Sequence, residues 1–436
     1  MEPGTGKPRS ALGRVLGNAG LLLGGRTVNA VVSLGYMALA GRALGVQDFG
    51  ALVLIHAFTQ LMGDAVKFQS WQTVIQYAAG PLAENRPQDV QRVIRFTLGL
   101  DLASGVLAAL AGLAGALVFS GALGWSEAQA PAAAVYALSS IFMTPATQIG
   151  VLRLLDRFDL LAAQAALIAV GRLIGCAVAV ALDAPLEGFL CAWAFGTVLA
   201  FVVLTAGSLR ALAQRNLLAG FSWRGPLMRH MPGAWRFAWA TNLSSTIDVL
   251  FTHVSTLAVG GLLGAAPAAL WRVGAQVGDA IAKPAKLLIP ALYPELARMR
   301  LGEGQAAMWR LALQTGLLAG GVGVLLLAVA LFAGGPLLAL VMGEAFRAAS
   351  TAMTWQVAAA VVSILALPLE PMLVSLGRPG SALRVRLGVC AIYLTLLFPV
   401  VSRYGINGAG ALGVGAAVGL AGGMLVHLVR ARRTEG

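Results

Sequence analysis

Five polar residues inside one apolar stretch carry the strongest chemical signal in the chain. Arg272, Gln276, Asp279, Lys283 and Lys286 follow one another at steps of four, three, four and three. That spacing keeps all five side chains on a single face of an α-helix. Three further apolar stretches repeat the device with Gln60, Asp64, Lys67 and Trp71, with Thr241, Ser245, Asp248, Thr252 and Ser255, and with Arg26, Asn29, Ser33 and Tyr36. A guanidinium grips phosphate or carboxylate with paired hydrogen bonds, and an ammonium supplies a point charge. The ionisable groups of the four faces comprise five cations and three carboxylates, so they suit an anionic cargo. Arg26, Lys67, Arg272, Gln276, Lys283 and Lys286 are the candidate binding groups. Asp64, Asp248 and Asp279 are the candidates for lining a cavity or for coupling.

The elements that position these groups follow from composition. Of 436 residues, 58% are hydrophobic and only 11% charged, with a mean hydropathy of +0.81. Soluble domains carry roughly 25% charged residues, so there are too few charges here to cover two or three of them. Disorder and a small disulfide scaffold are excluded on the same grounds. The formal charge of +13 does not make the chain a nucleic-acid binder, because such a protein would not be this apolar. What remains is a polytopic membrane protein. Cys176, Cys191 and Cys390 lie in apolar runs without metal-ligand spacing, and no cofactor is expected. The basic start (Lys7, Arg9, Arg14) is expected to lead into a spanning helix, since Arg26 and Asn29 interrupt any signal-peptide core.

A crossing takes about 20 apolar residues. Charged and turn-rich breaks mark twelve, near 15–40, 51–77, 93–119, 130–150, 160–182, 186–208, 234–260, 266–291, 308–333, 352–375, 383–401 and 405–428. The organisation expected is a tail (1–14), an N-lobe of six helices (15–208), an inter-lobe loop (209–233), a C-lobe of six (234–430) and a tail (431–436). Alternate breaks hold 22 Lys and Arg, while the intervening ones hold only Arg42, Arg347 and Arg403. Basic loops stay cytoplasmic, which puts both termini inside. Short segments also recur half a chain apart: 40–45 with 259–264, and 155–157 with 376–378. Copies with an even number of spans share one topology, so the lobes should be related by an axis along the membrane normal.

Six cations (Arg26, Lys67, Arg172, Arg272, Lys283, Lys286) and five acids (Asp64, Asp101, Asp248, Asp279, Glu370) fall within the spans. Each costs about 2.5–3.5 kcal/mol near a helix centre, so they must face one another or a wet cavity. His56 and His253 are lone histidines in spans, more readily accommodated than functional. Pro284, Pro290, Pro294, Pro368 and Pro371 mark places where helices can kink. The Gly408–Gly413 segment fits a dinucleotide fingerprint in form only, with no strand before it.

In order along the chain, Arg42-Ala43-Leu44-Gly45-Val46-Gln47-Asp48-Phe49-Gly50, Phe68-Gln69-Ser70-Trp71-Gln72 with Tyr77, Lys283-Pro284, Leu292-Tyr293-Pro294-Glu295-Leu296, Gly343-Glu344-Ala345-Phe346 and Leu376-Gly377-Arg378-Pro379 form a recognisable series. The series resembles the Wzx-type polysaccharide flippases of the multidrug/oligosaccharidyl-lipid/polysaccharide exporter superfamily, over residues 15 to 430. The resemblance implies an all-α, V-shaped, two-lobed bundle with a cationic central cavity in the bacterial inner membrane. It implies alternating access that moves a lipid-linked oligosaccharide on an undecaprenyl-pyrophosphate-type carrier, with H+ or Na+ coupling open. It also implies the bilayer, that lipid-linked oligosaccharide and other polysaccharide-assembly membrane proteins as partners, and neither nucleic acid nor enzymatic chemistry. The peptidoglycan-precursor flippases of this superfamily tend to carry helices beyond the twelve expected here. A cation-coupled drug exporter of the same superfamily is the alternative, and a polysaccharide polymerase or ligase a more distant one.

Overall fold

With no water in the hydrocarbon core, each backbone N–H and C=O must find its partner within the protein, and a helix does this inside a single segment. The computed structural model describes residues 11–223, 231–286, 304–376 and 378–435, and among these there is no strand. The expected Arg224, Arg229, Arg298 and Arg300 of the loops, Pro290 and Pro294, and the motif at 292–296 lie outside the described residues, as do the side chains of Arg26, Asp248, Lys283 and Lys286.

Twelve helices run through the described chain. They are α1 (11–44), α2 (46–83, with a break), α3 (Pro87–Val118), α4 (Ala130–Leu154, composite), α5 (Phe158–Ala181), α6 (Leu186–Gln214), α7 (Ala234–Leu263), α8 (Ala265–Lys286), α9 (Gly304–Met342), α10 (Ala349–Ser375, with a break), α11 (379–404) and α12 (406–435). Among the described residues, eight stretches are long and apolar enough to cross a membrane; two of them, Val28–Ala83 and Gly380–Ala431, each contain a pair of helices. The chain is thus a multi-pass membrane protein. On α9, Leu317, Leu318, Leu325 and Phe332 are exposed and form a face fit for lipid.

Each expected span overlaps one of these helices, and most of the observed helices run several residues longer; the end of the eighth expected span, 287–291, lies outside the described residues. The reason is local. Gly45 joins α1 to α2 with φ +70° and ψ 178°, and helical hydrogen bonding runs close up to it on both sides. Gly405 does the same between α11 and α12 with φ +60°. A residue with a Cβ resists this left-handed region, whereas glycine enters it freely.

These turns also expose the repeat. Gly264, between α7 and α8, has φ +96° and ψ 178°, matching Gly45 at the corresponding turn of the first lobe. Gly124 after α3 (φ +89°, ψ 12°) and Gly343 after α9 (φ +102°, ψ 159°) also stand 219 residues apart with positive φ, though their ψ values differ. The two six-helix lobes (α1–α6 and α7–α12) therefore share a backbone plan that weak sequence identity conceals.

The lobes meet tightly at the end that bears Gly45 and Gly264. A Cβ on Gly50 would run into the backbone carbonyl of Ala265, and one on Gly260 into the Leu54 side chain. Gly124 approaches the Gly260 carbonyl and Gly261 the Ala122 carbonyl, each at 2.5 Å from an ideal Cβ. Phe49 meets Phe346 edge to face at 5.6 Å, and the Arg42 guanidinium donates to the Leu340 carbonyl at 2.5 Å. Phe49, Leu52, Leu54 and Ile55 of α2, with Ala265, Ala268 and Val273 of α8, belong to one buried cluster that spans both lobes. Overpacking such a seam costs about 1–3 kcal/mol. Gly50→Ala should accordingly lower the melting temperature of the purified protein, while Gly413→Ala, where an added Cβ meets nothing, should leave it unchanged.

Candidate functional site

α2 does not run straight through the membrane. Its helix stops at Val66, the backbone of Lys67, Phe68 and Gln69 is unwound, and helix resumes at Ser70. Freed carbonyls at such a break need partners. Asn242 of α7 donates its amide to the Lys67 carbonyl at 2.5 Å, and the Gln72 amide donates to the Gln69 carbonyl at 2.9 Å. The break therefore lies against the other lobe.

One turn earlier sits Asp64. Its carboxylate lies 3.9 Å from the Lys67 ammonium and 3.2 Å from His253 Nε2 on α7. Asp64 and Lys67, expected to share a face, are indeed side by side. His253 joins them from off the expected α7 stripe, and the Asp64–His253 contact ties one lobe to the other. Trp71, the last member of the α2 stripe, instead packs under the Arg153 guanidinium at 4.1 Å.

α4 is broken too. A helical turn ends at Ala137, a tighter 3-10 stretch covers Leu138–Met143, and regular helix resumes at Ala146 after Pro145. Proline lacks the N–H that would continue the ladder. The orphan amide of Thr147 is taken up by Asp101 of α3, which accepts it at 2.7 Å. Asp101 thus serves as a helix cap supplied from a neighbour, one of the structural uses of an intramembrane acid.

Between the two breaks lies a cavity of about 280 Å³ inside the first lobe. Gln60, Asp64 and Lys67 of α2, Phe142 of α4, Gln164 and Arg172 of α5, and Thr197 and Phe201 of α6 contribute to its lining. Arg172 is only 8% exposed. Its nitrogens reach Tyr36 Oη at 3.4 Å and Thr197 Oγ1 at 3.3 Å, and its plane lies 5.0 Å from the Trp193 ring. The same aromatic group holds His56, whose Nδ1 is 2.7 Å from Tyr136 Oη and whose ring is edge-on to Trp193.

The α8 stripe belongs to the facing lobe. Gly274 and Gly278 press against Ala352 and Gln356 of α10, so the opposite side of α8 looks away from α10. That side carries Arg272, Gln276 and Asp279; Gln276 is buried, and the other two are half-buried. α8 packs along the stretch 11–66 that holds α1 and the first part of α2. Backbone helix continues through Pro284 to Lys286. Among the described residues, no group of three or more His, Cys, Asp or Glu side chains is placed to hold a metal ion.

The structure brings Asp64 and Lys67 together and keeps Arg272, Gln276 and Asp279 on one side of α8, and no described residue of α8 contributes to the 280 Å³ cavity. His253, which joins from across the lobe interface, and Arg172, which joins from a neighbouring helix of the same lobe, belong to no polar stripe of their own helix, so periodicity does not mark them as binding groups. Residues in direct contact couple by about 0.5–3 kcal/mol. A double-mutant cycle of Asp64→Ala and His253→Ala, followed by thermal melting, should show non-additive losses in that range; strict additivity would contradict the pairing.

No family model matches the chain. It is 34% identical over 330 residues to the inner membrane protein YghQ of Escherichia coli, covering 76% of this chain and 92% of that one. Among solved structures, it superposes on the inward closed conformation of the lipid II flippase MurJ with a TM-score of 0.74, at 11% identity, covering 94% of this chain and 87% of that one. It also superposes on an inward-facing multidrug resistance MATE family transporter of the MOP superfamily with a TM-score of 0.68, at 12% identity, covering 94% of each.

Proposed function

Because the chain belongs to the family of the inner membrane protein YghQ and has the fold of the MOP superfamily, we propose that it is a flippase for a lipid-linked oligosaccharide. The observation that carries this reading is the polar side of α8 that looks away from α10 and carries Arg272, Gln276 and Asp279. In the sequence, Lys283 and Lys286 continue the same helical phase and make that stripe net cationic. A pyrophosphate or acidic sugar supplies the negative charge such a lining needs, while the lipid tail stays in the bilayer.

The positive-inside bias assigns the sealed Gly45 end to the periplasm and both termini to the cytoplasm. Cargo then enters from the cytoplasmic side, and transport consists of breaking the Gly45-end seam while the opposite ends of the lobes come together. Asp64, Asp248 and Asp279 are the carboxylates through which a proton or sodium gradient would act. Of these, Asp64 already bridges the lobes through His253, so loading it with a cation alters the contact that must change. The cargo is made for a surface polysaccharide such as O-antigen or exopolysaccharide, and the flippase works beside the other membrane proteins of that assembly line.

A cation-coupled drug exporter is the competing reading, favoured by the MATE-like fold. A cationic drug, however, would meet Arg272, Lys67 and Arg172 before any unengaged carboxylate. The Arg272→Gln, Lys283→Gln double variant should expose the difference. Expressed at the normal level, it should abolish surface polysaccharide and leave lipid-linked sugar on the cytoplasmic leaflet. Normal polysaccharide from that variant would sink the flippase reading.

A further inference from the structure

Arg172 presents a problem that the central cavity does not solve. The guanidinium is more than nine-tenths buried, no carboxylate lies within ion-pair distance among the described residues, and its Nε has no hydrogen-bond partner. Its hydroxyl and aromatic neighbours, Tyr36, Thr197 and Trp193, are neutral. A buried charge left uncompensated is costly, and this one borders the 280 Å³ cavity. The other ionisable groups on that cavity are Lys67 and Asp64, and Asp64 is already engaged by Lys67 and His253. Among the described residues, the Arg172 charge has no carboxylate beside it.

A second space lies on the far side of Phe142. There, between α4 and α6, an apolar groove of about 560 Å³ runs past Val135, Leu138, Leu190, Ala194 and Val198 toward Glu187 at the start of α6. Val135 and Leu138 are exposed, so the groove opens on the surface that meets hydrocarbon. Phe142 lines both spaces and rests edge-on against Phe201 at 5.4 Å. A polar cavity with surplus positive charge is thus separated from a chain-width apolar groove by one aromatic ring.

We propose that the α4–α6 crevice is a lateral binding site for a lipid with a phosphate head. The phosphate sits against Arg172 and Lys67, the hydrocarbon chain occupies the groove, and the Phe142 ring lies between them. The site is within one lobe, away from the inter-lobe face of α8, and it does not depend on what that face transports. Charge complementarity fixes the head, and the apolar groove that shares Phe142 with the cavity fixes the chain. A free anion would leave the groove unused, and a neutral lipid would leave Arg172 unpaired.

Cys191 makes the test direct, because it lines the groove and is exposed, whereas Cys176 and Cys390 are buried. The full-length protein in phosphatidylcholine vesicles is labelled with N-ethylmaleimide in the presence of farnesyl phosphate, farnesol or inorganic phosphate. Farnesyl phosphate should slow labelling of Cys191 in a saturable manner, and neither of the others should. A hydrogen bond to a charged group contributes about 1.5–3 kcal/mol, so Arg172→Gln should raise the half-protecting concentration roughly tenfold or more, while Arg172→Lys retains protection. If Arg172→Gln does not fold, Lys67→Gln must weaken protection in the same direction. Equal protection by farnesol, protection by inorganic phosphate alone, protection unchanged in a folded Arg172→Gln variant, or no protection would each overturn the proposal.

Discussion

A charge or an unpaired amide inside hydrocarbon has nowhere to go but to another group of the protein, and most of this architecture follows from that constraint. Asp64 finds Lys67 and His253; Asp101 finds the Thr147 amide; the Lys67 carbonyl finds Asn242. Each of these satisfies a break in a helix or an ion in a span. Together they fix where α2, α3, α4 and α7 lie relative to one another. Polar side chains in this bundle are therefore positional devices as well as binding groups. A group such as Arg172, with no acid opposite it among the described residues, stands out against that background.

The second organising fact is the contrast between the two ends. At the Gly45 end, glycines allow backbone to meet backbone across the lobes, with Gly50 on Ala265 and Gly261 on Ala122. Toward the other end, the described links between lobes are side-chain contacts: Asp64 to His253, Tyr77 Oη to the Pro232 carbonyl at 3.1 Å, and Phe68 against Trp235 and Trp239. Close backbone packing is a two-state arrangement, either interdigitated or apart. A seam of that kind suits a barrier that opens as a unit, and longer side chains can keep contact through a change of angle.

How much of this was legible in the sequence depends on what each feature requires. Spans are written in long apolar runs, so each expected span coincides over most of its length with an observed helix. The helical phase of Arg272, Gln276 and Asp279 was legible for the same reason: periodicity is a property of one segment. The repeat showed faintly as short matches, and its physical content emerged only in the shared φ/ψ of Gly45 and Gly264. The break in α2 was not legible, because Lys67-Phe68-Gln69 contains no proline or glycine and unwinds only where Asn242 receives the freed carbonyl. His253 and Arg172 were passed over because their roles arise from residues far away in the chain, and nothing local announces such a partner.

The central claim is that two rigid lobes exchange a sealed Gly45 end for a sealed opposite end about a polar face between them. Spin labels on the exposed positions Asp48 and Arg347 at one end, and Asn85 and Arg384 at the other, report both separations in one preparation by pulsed electron paramagnetic resonance. The account predicts two populations in which the distances vary in opposition, one short when the other is long. A single fixed distance at both ends, or separations that lengthen together, would contradict it.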